Sequence, residues 1–181
     1  QARSLAFKFT AWAKEFSKNH NRFVIATGGG PGIMEAANRG AIEAKGKSIG
    51  LGIRLPQEQR NNKYITPELS FQFHYFFMRK FFLTQPAKAT IMFPGGYGTL
   101  DELSEILTLK QTGRIQQPMP IVLVGKKYWS KAINFDYFVE RKVIDKEDLN
   151  LFLMTDYIDQ AFEFISCILK EKCLDNPALH L

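Results

Sequence analysis

An apolar run, Ala89-Thr90-Ile91-Met92-Phe93, stops at Pro94-Gly95-Gly96-Tyr97-Gly98-Thr99 and gives way to Leu103, Ile106, Leu107 and Leu109 at helical spacing. This pattern describes a buried strand that turns through glycines straight into a helix. Such a turn aims backbone N–H groups and the positive end of a helix dipole at one spot. Its glycines let an anion approach the backbone closely. Thr99 adds a hydroxyl donor, and Glu102 stands one turn into the helix. The combination predicts a phosphate cradle with a carboxylate beside it, suited to chemistry on a phosphorylated substrate.

A second turn of the same kind lies earlier. The apolar run Phe23-Val24-Ile25-Ala26 leads into Thr27-Gly28-Gly29-Gly30-Pro31-Gly32, and Ile33-Met34-Glu35-Ala36-Ala37 opens a helix. Pro31 suits a first helical turn. Ligands of open parallel sheets bind beyond the carboxyl ends of the strands, so two such turns suit the two ends of one nucleotide-sized ligand. Neither carries the Gly-Lys-Ser/Thr of a P-loop, nor the G-x-G-x-x-G pattern with its later acidic residue. One glycine turn alone is no more than a tight turn of an α/β fold. Two of them, with Thr99 and Glu102 attached, favour a ligand site.

Between and around these turns the chain alternates. Leu5, Phe9, Trp12, Ala13 and Phe16 predict an amphipathic first helix, ended by the polar turn Lys18-Asn19-His20-Asn21. A helix is expected over 31–45, a strand over 48–53, a polar loop over 56–67 and a strand over 69–73. A helix over 75–83 follows, dense in aromatics, which belongs either in the core or against another subunit. Arg79 and Lys80 inside that apolar run call for a carboxylate or a phosphate, with Glu102 and its ligand as candidates. Gln111-Thr112-Gly113 marks a helix stop. Beyond it come a buried strand over 121–124, a helix over 128–140 with Trp129, Ala132 and Ile133 inward, a helix start at Lys146, a strand over 152–154 and a helix over 157–170. Strands alternating with helices predict a mostly parallel sheet with helices on both faces. No repeat or linker divides the 181 residues, which suit one domain over 1–181.

Composition narrows the function. A 45% hydrophobic share fits a globular chain, and no apolar run reaches membrane-spanning length. The net charge of +6 is scattered and forms no basic block, which suits an anionic small molecule better than nucleic acid. The two cysteines, Cys167 and Cys173, read as free thiols of a cytoplasmic protein. His20, His74 and His180 lack metal-ligand spacing, so no metal site is expected. The chain begins at Gln1 rather than methionine, which leaves room for an upstream segment.

Taken together, Thr27-Gly28-Gly29-Gly30-Pro31-Gly32-Ile33-Met34-Glu35-Ala36-Ala37-Asn38, Met78-Arg79-Lys80 and Pro94-Gly95-Gly96-Tyr97-Gly98-Thr99-Leu100-Asp101-Glu102 resemble the Lonely Guy family, historically labelled "possible lysine decarboxylase". The likeness runs over nearly the whole chain, and P-G-G-x-G-T-x-x-E is its specific part. The resemblance implies a Rossmann-like three-layer α/β sandwich, usually a homodimer with the site near the subunit interface. It implies a phosphoribohydrolase that cleaves nucleoside 5′-monophosphates, such as AMP or cytokinin riboside monophosphates, to free base and ribose 5-phosphate without a cofactor. Arg79 and Glu102 fall on the family's catalytic pair. Gly95, Gly96, Gly98 and Thr99 with Pro94 fall on its phosphate turn, and Gly28, Gly29, Gly30, Met34 and Lys80 line the substrate. The family's usual first strand, with its glycine-serine turn, would precede Gln1. Lysine decarboxylation finds no support, since Lys80 lacks the companions of a pyridoxal-phosphate lysine. The alternative is a non-catalytic nucleotide or cofactor carrier of the same fold.

Overall fold

Arg3 and Gly40 set how the first two helices of the chain pack together. The structure, a computed structural model, describes residues 1–15, 23–54 and 61–171, which fall into two units, Gln1–Pro86 and Ala87–Leu181. Helix α1 (Ala2–Glu15) buries Leu5, Ala6, Phe9, Thr10 and Ala13 along one face. Helix α2 (Ile33–Glu43) lies against it so closely that a Cβ on Gly40 would sit 2.1 Å from the Arg3 carbonyl oxygen. The Arg3 guanidinium grips Glu43 at both oxygens, 2.6 and 2.7 Å, and Arg39 Nε reaches Oε1 of the same carboxylate at 2.9 Å. These bonds, that from Arg3 foremost, hold the Glu43 carboxyl below the usual glutamate range.

Strands β1 (Ile25–Thr27), β2 (Ser48–Ile53) and β3 (Ser70–Phe73) form a parallel sheet in that order, with Ile25 opposite Ser48 and Gly50 opposite Ser70. The first strand starts two residues later than its apolar run predicts. Phe23 instead stacks on Trp12, with ring centroids 5.6 Å apart. Helix α3 (Phe76–Thr84) follows β3. The aromatics of α3, and Tyr75 just before it, are not buried within the chain: Tyr75, Phe76, Phe77, Phe81 and Phe82 are all exposed, which overturns the first of the two alternatives, burial in the chain's own core. Their number exceeds what one helix face can place against a three-stranded sheet.

In the second unit, β4 (Thr90–Met92), β5 (Ile121–Val124) and β6 (Phe152–Thr155) make another parallel sheet, again in chain order. Central β5 is buried along its whole length, as its unbroken apolar run predicts. Met92, Leu103, Ile106, Met119, Ile121, Leu123 and Trp129 form the core on one side. Helix α7 (Ile158–Leu169) packs on β5 and β6 and buries Ala161, Ile165 and Leu169. Helix α4 (Tyr97–Gln111) ends at Gly113, whose φ of +67° fits the predicted stop.

The helix expected over 128–140 is two helices, α5 (Lys126–Ala132) and α6 (Phe135–Glu140). Asn134 separates them because its side chain accepts from the Tyr137 N–H at 3.0 Å and caps α6. The break leaves Ala132 exposed, while Trp129 is fully buried and donates from Nε1 to the Val124 carbonyl at 3.1 Å. The start predicted at Lys146 is a short 3₁₀ helix, Lys146–Leu151, opened by a capping box between Asp145 and Asp148. Phe16, the 18–21 turn, residues 56–60 of the loop expected over 56–67, Cys173 and His180 lie outside the described residues. Cys167 is an exposed free thiol. Among the described residues no helix is long and apolar enough to cross a membrane.

Candidate functional site

The turn after β4 is braced from behind and open in front. Gly96 caps α4 in an extended conformation, and its carbonyl accepts from the Thr99 and Leu100 N–H groups at 3.0 and 3.1 Å. The N–H groups of Tyr97 and Gly98 then remain as the donors of the helix start, where the dipole is positive. A Cβ on Gly96 or Gly98 would meet nothing within 4 Å, so the backbone here is approachable. Gly95 is the opposite case, since a Cβ there would lie 2.1 Å from Thr99 Oγ1. The Tyr128 hydroxyl donates to the Gly95 carbonyl. Behind Pro94, Gly125 adopts φ +104°, and a side chain there would press on the proline ring at 3.3 Å. Thr99 and Glu102 lie three residues apart on α4 and so share a helix face, with Glu102 half-buried. Of the expected site residues, Pro94, Gly95, Gly96, Gly98, Thr99 and Glu102 are thus brought together on one turn and the first turns of its helix.

The turn after β1 gathers another group. Gly29 has φ +76°, and a Cβ on it would sit 2.6 Å from Asn61 Oδ1. Met34 lies over the turn: its Sδ would be 3.0 Å from a Cβ on Gly28, and its Cε 2.6 Å from one on Gly30. Arg79 Nη1 would be 3.9 Å from that same Gly28 Cβ, so α3 delivers its arginine to this turn. The guanidinium also stands over the Phe76 ring, 5.4 Å from its centroid. Lys80, next along α3, is half-buried. Gly28, Gly29, Gly30, Met34 and Arg79 therefore form one neighbourhood. Helix α2 starts at Ile33 with Gly32 (φ +73°) as its cap, so Pro31 lies just ahead of the helix rather than inside its first turn.

Two residues that build these turns escape the sequence pattern. Asn62 bonds the Gly29 and Gly30 carbonyls, and Tyr128 bonds Gly95. Asn62 sits in an undifferentiated polar stretch, and Tyr128 reads only as a helical aromatic. Asn38, by contrast, ends the first glycine motif and proves to be completely buried. Among the described residues no group of three or more His, Cys, Asp or Glu side chains is placed to hold a metal.

The family model described as possible lysine decarboxylase matches residues 34–165. A stretch of 78 residues, 43% of this chain, is 37% identical to the probable cytokinin riboside 5′-monophosphate phosphoribohydrolase LOG4 of Oryza sativa subsp. japonica. That match spans about a third, 34%, of the rice protein's length. Among solved structures, the molybdenum cofactor carrier protein of Chlamydomonas reinhardtii superposes with a TM-score of 0.60 at 18% identity, over 93% of this chain and 86% of that one. The structural-genomics protein TM1055 gives 0.62 at 22% identity, over 91% and 87%. These two likenesses establish the Rossmann-like α/β fold. With its family model matched over well more than half its length, the chain belongs to the possible lysine decarboxylase family, the Lonely Guy family its motifs resemble.

Proposed function

We propose that the protein is a phosphoribohydrolase that cleaves the N-glycosidic bond of nucleoside 5′-monophosphates, releasing free base and ribose 5-phosphate. The observation that carries this reading is the α4 turn, which offers approachable N–H donors and the Thr99 hydroxyl at a helix start with Glu102 one turn further on. The rice relative's name, a cytokinin riboside 5′-monophosphate phosphoribohydrolase, supports nucleoside 5′-monophosphates as the substrate class.

In this reading the 5′-phosphate rests on Gly95, Gly96, Gly98 and Thr99. Breaking the C1′–N bond builds positive charge on the ribose, as in glycoside hydrolysis. The Glu102 carboxylate stabilises that charge and orients or deprotonates the attacking water. Arg79 is no proton donor, because a guanidinium stays protonated. It clamps phosphate or ribose as a fork of donors, and Lys80 adds charge for the same anion. Gly28, Gly29, Gly30 and Met34 line the substrate. The exposed aromatic face of α3 serves as the contact surface of a homodimer.

The rival reading, a carrier that binds a nucleotide or cofactor without cleaving it, takes its support from the fold shared with the algal carrier protein. Incubation with a panel of nucleoside 5′-monophosphates and the matching nucleosides, with free bases separated by chromatography, decides between them. The hydrolase reading expects base from monophosphates only, and none from the Glu102→Gln variant. Tight binding with no base released from any of them would favour the carrier.

A further inference from the structure

The first glycine turn is held by an amide network that nothing in the proposed chemistry yet uses. Asn38 is completely buried with all four hydrogen-bonding positions filled. Its Oδ1 accepts from Thr27 Oγ1 at 2.7 Å and from Asn62 Nδ2 at 2.9 Å. Its Nδ2 donates to Ser48 Oγ at 2.5 Å and to the Ile49 carbonyl at 3.2 Å. Thr27 Oγ1 in turn accepts from the Gly29 N–H at 3.0 Å. Asn62 is the end of this chain of bonds that touches the turn. Its Nδ2 faces the Gly29 and Gly30 carbonyls, both at 3.1 Å, and its backbone N–H donates to the Gly29 carbonyl at 2.8 Å. The Tyr64 N–H, donating to Asn62 Oδ1 at 3.1 Å, fixes which way that amide faces.

This capture has a directional consequence. The Gly29–Gly30 peptide is trans, so its N–H points opposite to its carbonyl. Pulling the Gly29 carbonyl toward Asn62 with two donors turns the Gly30 N–H the other way. Gly30 is buried, and among the described residues its N–H meets no acceptor. A buried backbone donor kept without an acceptor is rare and suits a ligand atom. The neighbours of the turn, Met34 and the Arg79 guanidinium, are an apolar cover and an anion-binding fork.

We infer that Asn62 is a positioning residue: backed by Asn38 and Thr27, it sets the Gly28–Gly30 turn so that the Gly30 N–H donates to the bound nucleoside monophosphate. The inference rests on the phosphoribohydrolase reading for the ligand, but it concerns binding rather than cleavage. A donor that holds substrate and transition state alike changes KM and leaves kcat nearly untouched. A merely structural asparagine changes the melting temperature and neither constant of the folded fraction.

The test compares Asn62→Ala and Asn62→Ser with wild type, measuring AMP turnover, AMP binding by calorimetry and thermal melting. Leu5→Ala, a core truncation in α1 away from the turn, controls for lost stability. The expected result is a rise of about tenfold in both KM and the calorimetric Kd for Asn62→Ala, with a smaller rise for the serine, which keeps one donor. The kcat stays near wild type, and Leu5→Ala melts earlier with KM unchanged. Wild-type KM and Kd in both Asn62 variants, or a KM rise that Leu5→Ala reproduces, would overturn the inference. If neither variant folds, the Gly30 amide resonance of labelled wild type decides: it shifts on adding AMP if the inference holds and stays put if it does not. Wild type that binds AMP but releases base from none of the panel's nucleoside monophosphates refutes the hydrolase reading, and the Kd comparison still judges Asn62. Wild type that binds no nucleoside monophosphate of the panel overturns both.

Discussion

The two glycine turns look alike in sequence and differ in construction. The turn after β1 is locked from within by Thr27, Asn38 and Asn62, and it bends through a left-handed Gly29 that Asn61 crowds. The turn after β4 is propped only from behind, by Tyr128 and Gly125, while Gly96 and Gly98 face open space. Glycine is needed for opposite reasons. At Gly29 a side chain has no room and the wrong backbone; at Gly98 it has room, and the vacancy serves whatever approaches the helix start. A glycine motif therefore marks either a conformational demand or an approach path, and only the surroundings tell which.

Substitutions test this contrast, and the largest effect belongs to the open turn. Glu102→Gln is expected to lower turnover of nucleoside monophosphates by about 10²–10⁴-fold with little change in melting temperature, measured by base release and calorimetric scanning. A variant with wild-type turnover would remove the carboxylate from the mechanism. Next comes Gly29→Ala in the locked turn, where the positive φ and the Asn61 contact should cost about 1–3 kcal/mol in denaturant unfolding. Gly98→Ala should go the other way. Its backbone is not left-handed, so alanine adds up to about 1 kcal/mol of helix stability while its methyl raises KM. A Gly98→Ala protein that is both more stable and fully active would show that no ligand comes there.

The smallest effect lies away from both turns. Glu43 titrates lower in the folded protein than in the unfolded chain, so its contribution is present above the usual glutamate range. That contribution is lost as pH falls through the lowered native value. Acid titration of the melting temperature should therefore fall more steeply for wild type than for Glu43→Gln; equal slopes would mean that the Arg3–Glu43–Arg39 cluster adds nothing.

How much of this was legible follows from the range of each signal. Strands β2 and β5 and helices α2, α4 and α7 are written locally, as runs or as periods, and appear close to where the pattern puts them. The stop at Gly113 is likewise local, since a left-handed residue after a helix wants glycine. The division of α5 from α6 was not legible, because the apolar period of Trp129, Ala132 and Ile133 runs up to Asn134, whose cap on α6 interrupts it. The aromatic content of α3 predicted that something covers it but not what. The placement of Gly95, Gly96, Gly98, Thr99 and Glu102 on one helix start could be read from their spacing. The braces could not, because Asn62 and Tyr128 reach glycines far away in sequence, and no periodicity records a contact of that kind.

If the protein is a phosphoribohydrolase as proposed, the α4 turn receives the 5′-phosphate. Titrating ¹⁵N-labelled protein with AMP and, separately, with adenosine tests it at the atoms concerned. The Tyr97, Gly98 and Thr99 amide resonances are expected to move with AMP and hardly respond to adenosine. Amides of this turn that ignore AMP, or that move equally with adenosine, would contradict it.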